Sequence, residues 1–60
     1  MNIITLIMKN NEVIKVKTDK DFLPYSQNIL DNNKEWRQVT KANGVKVIFR
    51  IQDLKYIVNE

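Results

Sequence analysis

The chain has no cysteine and no histidine, and a single glycine and a single proline among its 60 residues. Without cysteine there are no disulfides. Without either residue the usual zinc ligands are gone, leaving carboxylates as the only good metal donors. Nucleophilic catalysis needs a nucleophile beside a base, and neither a Cys–His nor a Ser–His arrangement can be drawn. The hydroxyls of Thr5, Thr18, Ser26 and Thr40 fall in unrelated contexts. Asp19 and Asp21 are the only closely spaced carboxylates, and capping of a helix start accounts for them. One glycine excludes a glycine-rich phosphate loop. The expectation is a protein that is not an enzyme and holds no metal and no cofactor.

Long apolar runs are also missing. Ile3 to Met8 is too short to span a bilayer, and no basic segment or small-residue cleavage site brackets it. A cytoplasmic protein of a bacterial host cell is expected, with no membrane partner. Residues 1–60 read as a single small domain, since no Pro-, Gly- or Ser-rich linker and no repeat divides them. Folding at this length buries only about 60% of the surface of the unfolded chain. Below about 70–80 residues, burial and conformational entropy nearly cancel, so small domains add disulfides, a metal, a partner subunit or very regular packing. Disulfides and the usual zinc ligands are removed here, and a homo-oligomer is therefore expected.

What is abundant is lysine, asparagine and isoleucine, eight of each. Their codons are A/T-rich, which with the small size suggests an A/T-rich bacterium or its phage or mobile element. Ten Lys and Arg against seven Asp and Glu give a net charge of +3. The meaning of that excess depends on whether the cations cluster.

The segments are strand-like, helix-like, then strand-like again. Ile3–Met8 and Val13–Lys17 are dense in β-branched residues and flank the polar stretch 9–12. A two-residue turn at Asn10 and Asn11 pairs Ile7 with Ile14 and Leu6 with Lys15. Ile3, Thr5, Ile7, Ile14 and Val16 then share one face, and Ile4, Leu6, Met8, Val13, Lys15 and Lys17 the other. Thr18 to Asn33 reads as a helix carrying Phe22, Ile29 and Leu30 on one side with Leu23 beside them. Asp21 as N-cap puts Pro24 at the third helical position, where no intrahelical N–H bond is lost. Asp31, Asn32 and Asn33 provide the stop.

Asn43 and Gly44 suit a type I′ turn, which needs positive φ at both central residues. That turn pairs Lys41 with Lys46, Arg37 with Arg50 and Trp36 with Ile51. Trp36, Val47, Phe49 and Ile51 would then be core, and Arg37, Val39, Lys41, Lys46, Ile48 and Arg50 would lie on the opposite face. After a bend at Gln52 and Asp53, the alternation of Leu54, Tyr56 and Val58 favours a short last strand over a helical turn. The architecture expected is α+β: a small antiparallel sheet in ββαββ order with Phe22, Leu23, Ile29 and Leu30 covering it, and a candidate fifth C-terminal strand.

Joined in one sheet, the hairpins would present a basic and apolar face of Lys15, Lys17, Arg37, Lys41, Lys46 and Arg50, interleaved with aliphatics such as Leu6, Val39 and Ile48. Only Glu35 offers a counter-charge there. Solvation explains such a face in many antiparallel sheets. Yet Lys41 against Lys46 and Arg37 against Arg50 would repel, and exposed aliphatics beside them would form a patch that monomers rarely leave uncovered. Three readings stand: a solvated face, a self-association or protein-binding face, and a face for an acidic ligand. A single-strand binder needs stacking aromatics, and in this register they miss the face. The function expected is a non-catalytic accessory or regulatory binding protein of a phage or mobile element, for instance an inhibitor or counter-defence factor, acting as a small oligomer through this face. The alternative is a nucleic-acid or nucleotide binder that holds phosphates with the same cations.

Overall fold

A computed structural model describes residues 1–30 and 35–59. The strands are β1 (Asn2–Met8), β2 (Val13–Thr18), β3 (Trp36–Thr40), β4 (Lys46–Arg50) and β5 (Leu54–Asn59). Helix α1 (Phe22–Leu30) lies between β2 and β3, and one 3₁₀ turn, Ile51–Asp53, joins β4 to β5. The fold is α+β in ββαββ order with the fifth strand present. The strands do not form one sheet, however. β1 is the centre of a three-stranded antiparallel sheet in the order β2-β1-β5, and β3 and β4 form a second, two-stranded sheet.

Both hairpins close through three residues, not two. In the first, Asn11 N–H donates to the Met8 carbonyl (2.9 Å) and Met8 N–H to the Glu12 carbonyl (2.9 Å), with Asn11 at φ 70. In the second, Gly44 N–H donates to the Lys41 carbonyl (2.9 Å) and Lys41 N–H to the Val45 carbonyl (2.8 Å), with Gly44 at φ 90. These are loops of the class that ends in a left-handed residue. The middle asparagine reinforces each loop: Asn10 Oδ1 accepts the Glu12 N–H at 2.9 Å, and Asn43 Oδ1 the Val45 N–H at 3.1 Å.

One extra loop residue shifts each register by one and turns one strand of each pair over. Ile4 faces Val16, Leu6 faces Ile14 and Thr5 faces Lys15. Val39 faces Val47, Thr40 faces Lys46, Gln38 faces Ile48 and Trp36 faces Arg50. The registers expected from two-residue turns are thus corrected in both hairpins.

The core follows from these pairings. Ile4, Leu6, Met8, Ile14 and Val16 share the inner face of the three-stranded sheet and are buried with Ile29 of α1 and Val39 and Phe49 of the second sheet. Ile57 and Leu54 extend that face onto β5, opposite Leu6 and Met8. Helix α1 begins as expected: the Asp21 carbonyl accepts the Tyr25 N–H at 3.1 Å, and Pro24 is the third helical residue. Thr18 Oγ1 instead accepts the Lys20 N–H at 3.1 Å, inside the preceding turn. Phe22, Tyr25, Ser26 and Ile29, spaced by three and four, face inward. Leu23 and Leu30, expected to cover the sheet, are 63% and 59% exposed. The expected stop at Asp31, Asn32 and Asn33 lies outside the described residues.

Backbone hydrogen bonds between described residues fasten each hairpin to the rest. Ala42 N–H donates to the Lys15 carbonyl (2.8 Å), which sets the second turn against β2, and Lys9 N–H donates to the Asp53 carbonyl (2.8 Å), which holds the first turn to the 3₁₀ segment. No helix among the described residues is long and apolar enough to cross a membrane.

Candidate functional site

The expected basic face does not form as one surface. Leu6 is fully buried and Val39 nearly so, because both point into the core; neither can belong to an open face. Arg37 lies on the inner side of β3, opposite Phe49, where its Nη2 donates to Asn28 Oδ1 at 2.9 Å and ties the strand to α1. The guanidinium stands close enough to Tyr25 to oppose the effect of burial, which pushes the Tyr25 hydroxyl above the ordinary tyrosine pKa. Lys41 is half-buried at the mouth of the second turn. The two like-charge pairs do not form, since Lys46 stands opposite Thr40 and Arg50 opposite Trp36.

Lys46, Ile48 and Arg50 remain together on the outer face of the second sheet, with Trp36, Gln38 and Thr40. Trp36, expected in the core, is 45% exposed, and the Arg50 guanidinium lies 4.9 Å from the centre of its ring. Arg50 Nε also approaches Glu35 Oε1 at 3.5 Å. A cleft of about 410 Å³ runs from Trp36, Ile48 and Arg50 to Lys9 and Glu12 of the first turn and Asp53.

Lys15 and Lys17 belong to another surface, the outer face of the three-stranded sheet. Its residues follow from the two registers of β1: Ile3, Thr5 and Ile7 in the centre, Val13, Lys15 and Lys17 on β2, and Tyr56 and Val58 on β5. Val13, Tyr56 and Val58 are exposed, Ile3 and Ile7 are half-buried, and Thr5 is buried. The second turn borders this face, where Lys41, Ala42 and Asn43 line a hollow together with Val13 and Lys15. The face combines an aliphatic and tyrosine centre with a lysine rim, a surface that sequence reasoning missed because the slipped register gave Val13, Lys15 and Lys17 to the same side as Leu6.

The sign of the charge is uniform across both sheets. Every charged residue on the five strands is a cation: Lys15, Lys17, Arg37, Lys46, Arg50 and Lys55. The described acids, Glu12, Asp19, Asp21, Glu35 and Asp53, all lie in turns and connections. Among the described residues no three His, Cys, Asp or Glu side chains gather into a metal-binding group.

No family model, no curated protein and no solved structure matches the chain.

Proposed function

We propose that the protein is a non-catalytic accessory or regulatory protein that binds another macromolecule through the outer face of its three-stranded sheet, blocking or adapting it. The observation that carries this reading is the exposed and half-buried patch of Ile3, Ile7, Val13, Tyr56 and Val58, bordered by Lys15 and Lys17 and with no acidic residue among its described positions. Contiguous exposed apolar surface of this kind marks interaction sites. Its charge also selects the partner. Two copies placed face to face would bring lysine rims together, whereas an apolar surface ringed by Asp and Glu would complement it. The small size and the abundance of Lys, Asn and Ile support a phage or mobile element as the source.

Capture from a bacterial extract tests this with two variants. Val13→Glu combined with Lys17→Glu changes the proposed face at exposed positions, and such surface changes cost no more than about 0.5 kcal/mol of stability. Ile48→Glu changes the other sheet. The expected result is loss of the wild-type partner band with the first variant and its retention with the second. The same band captured by both contradicts the proposed face.

A second reading has its own observation. Trp36 shares an outer face with Lys46 and Arg50, so a stacking platform does lie beside cations, as single-strand binders require. Trp36 is the only tryptophan, and its fluorescence reports directly. Quenching by single-stranded oligonucleotides that weakens steeply with salt supports phosphate-dependent binding there; unchanged emission removes it.

A further inference from the structure

We infer that the edge of β5 away from β1 is a self-association edge, along which two copies pair antiparallel about Ile57 to form one six-stranded sheet. This rests on the oligomeric part of the function expected from the sequence and gives it a location.

The three-stranded sheet has two edges, and they differ. On β2 the Lys15 carbonyl already accepts the Ala42 N–H, so the second turn occupies part of that edge. Along β5 no described element bonds to the side away from β1. A row of edge N–H and C=O groups that no described residue pairs is satisfied together by another extended backbone. Beside it runs a mainly apolar cleft of about 390 Å³ between α1 and β5, where Phe22, Leu30, Leu54 and Ile57 are joined by Ser26 and Lys55. It offers a place for side chains that arrive with an added strand.

Charge decides that the added strand is a second copy, and which edge it uses. Self-pairing of β2 about Val16 would set Lys15 directly against the partner's Lys17, twice, and like charges directly opposite are destabilising. Self-pairing of β5 about Ile57 sets Tyr56 against the partner's Val58, a favourable aromatic and β-branched pair, also twice. Its single cation, Lys55, faces the partner's Asn59. The two Lys55 positions are four residues apart along the sheet, about 13 Å at the rise of a strand, which exceeds the Debye length of about 8 Å at physiological salt. An even register also keeps Tyr56 and Val58 of both copies on one side, so the two outer faces join into a single apolar surface of twice the width.

Pairing along six residues, with the neighbouring cleft, falls short of the roughly 800 Å² per partner of a standard interface. The dimer is therefore reversible and depends on concentration. Sedimentation equilibrium over two decades of protein concentration tests this. The expected mass rises from the monomer value of 7.1 kDa toward twice that, and the melting temperature rises with it, as mass action requires. Val58→Lys, at an exposed position on this edge, should give the monomer mass throughout. Val13→Lys, the same change on the β2 edge, should leave the wild-type association. Tyr56→Lys repeats the first arm should Val58→Lys lose its circular dichroism spectrum. A wild-type monomer at every concentration, or association that survives both β5 variants, overturns the inference. Partner capture with the Val13→Glu and Lys17→Glu variant reports on the sheet face separately, so either claim can fail alone.

Discussion

The two hairpins share a loop and differ in what they turn outward. Each closes through three residues with an asparagine in the middle and a left-handed residue last, Asn11 in one and Gly44 in the other. Each points aliphatics inward to the same core. The first then turns Ile3, Thr5, Ile7, Val13, Lys15 and Lys17 to the outside, while the second turns out Trp36, Gln38, Thr40, Lys46, Ile48 and Arg50. Identical turn chemistry sets the parity of a hairpin. The residues that fall outside under that parity decide whether the surface can be left to solvent.

The comparison breaks most visibly at matched positions. Leu6 and Ile48 were both expected on one open face, but Leu6 is fully buried and Ile48 is exposed. Leu6→Ala should cost about 2–5 kcal/mol in denaturant unfolding, the range for emptying a packed aliphatic site. Ile48→Ala should stay within about 0.5 kcal/mol. Equal effects would mean that the hairpin registers are wrong.

The loops sharpen it next. Gly44 has open space where a Cβ would be placed, so only its backbone angle resists substitution. Gly44→Ala should cost about 1–2 kcal/mol, the penalty of a left-handed residue with a Cβ. Gly44→Asn should cost less than half as much, because the first hairpin holds asparagine at the same loop position with φ 70. Thermal unfolding of the two variants makes the comparison.

The smallest effect is one of pH, confined to the contact between helix and second sheet. Burial raises the Tyr25 pKa, with Arg37 working against it. The unfolded chain therefore loses this proton first as pH rises past about 10. The folded state then binds more protons than the unfolded state, so stability falls with rising pH. The contribution is complete below pH 10 and disappears as pH climbs through the folded value. Tyr25→Phe should flatten this part of the alkaline profile.

The elements were legible in the sequence, and the parity of the hairpins was not. Asp21 and Pro24 located the start of α1, and the alternation of Leu54, Tyr56 and Val58 marked β5. The dipeptides Asn10–Asn11 and Asn43–Gly44 fit either the centre of a two-residue turn or the end of a three-residue loop, and the choice moves every following side chain to the other face. In the first hairpin a signal was present: only the longer loop gathers Ile4, Leu6, Met8, Ile14 and Val16 away from Lys15 and Lys17. In the second the pattern misleads, since Arg37 points inward to bond Asn28 while Trp36 stays outside beneath Arg50. Side-chain type alone favours the opposite assignment. Pairing of β5 with β1, which completes the lysine-rimmed face, joins opposite ends of the chain and has no local signature.

The central claim is that this face, and not the tryptophan face or the cleft beside α1, is the binding surface. Methyl chemical shifts recorded by NMR during titration with anilinonaphthalene sulfonate, an apolar anion, test it most directly. Shifts concentrated at Ile3, Ile7, Val13 and Val58, and reduced by Lys17→Glu, are the predicted result. Shifts confined to Ile48 and Val47, or to Leu30, Leu54 and Ile57, would contradict it.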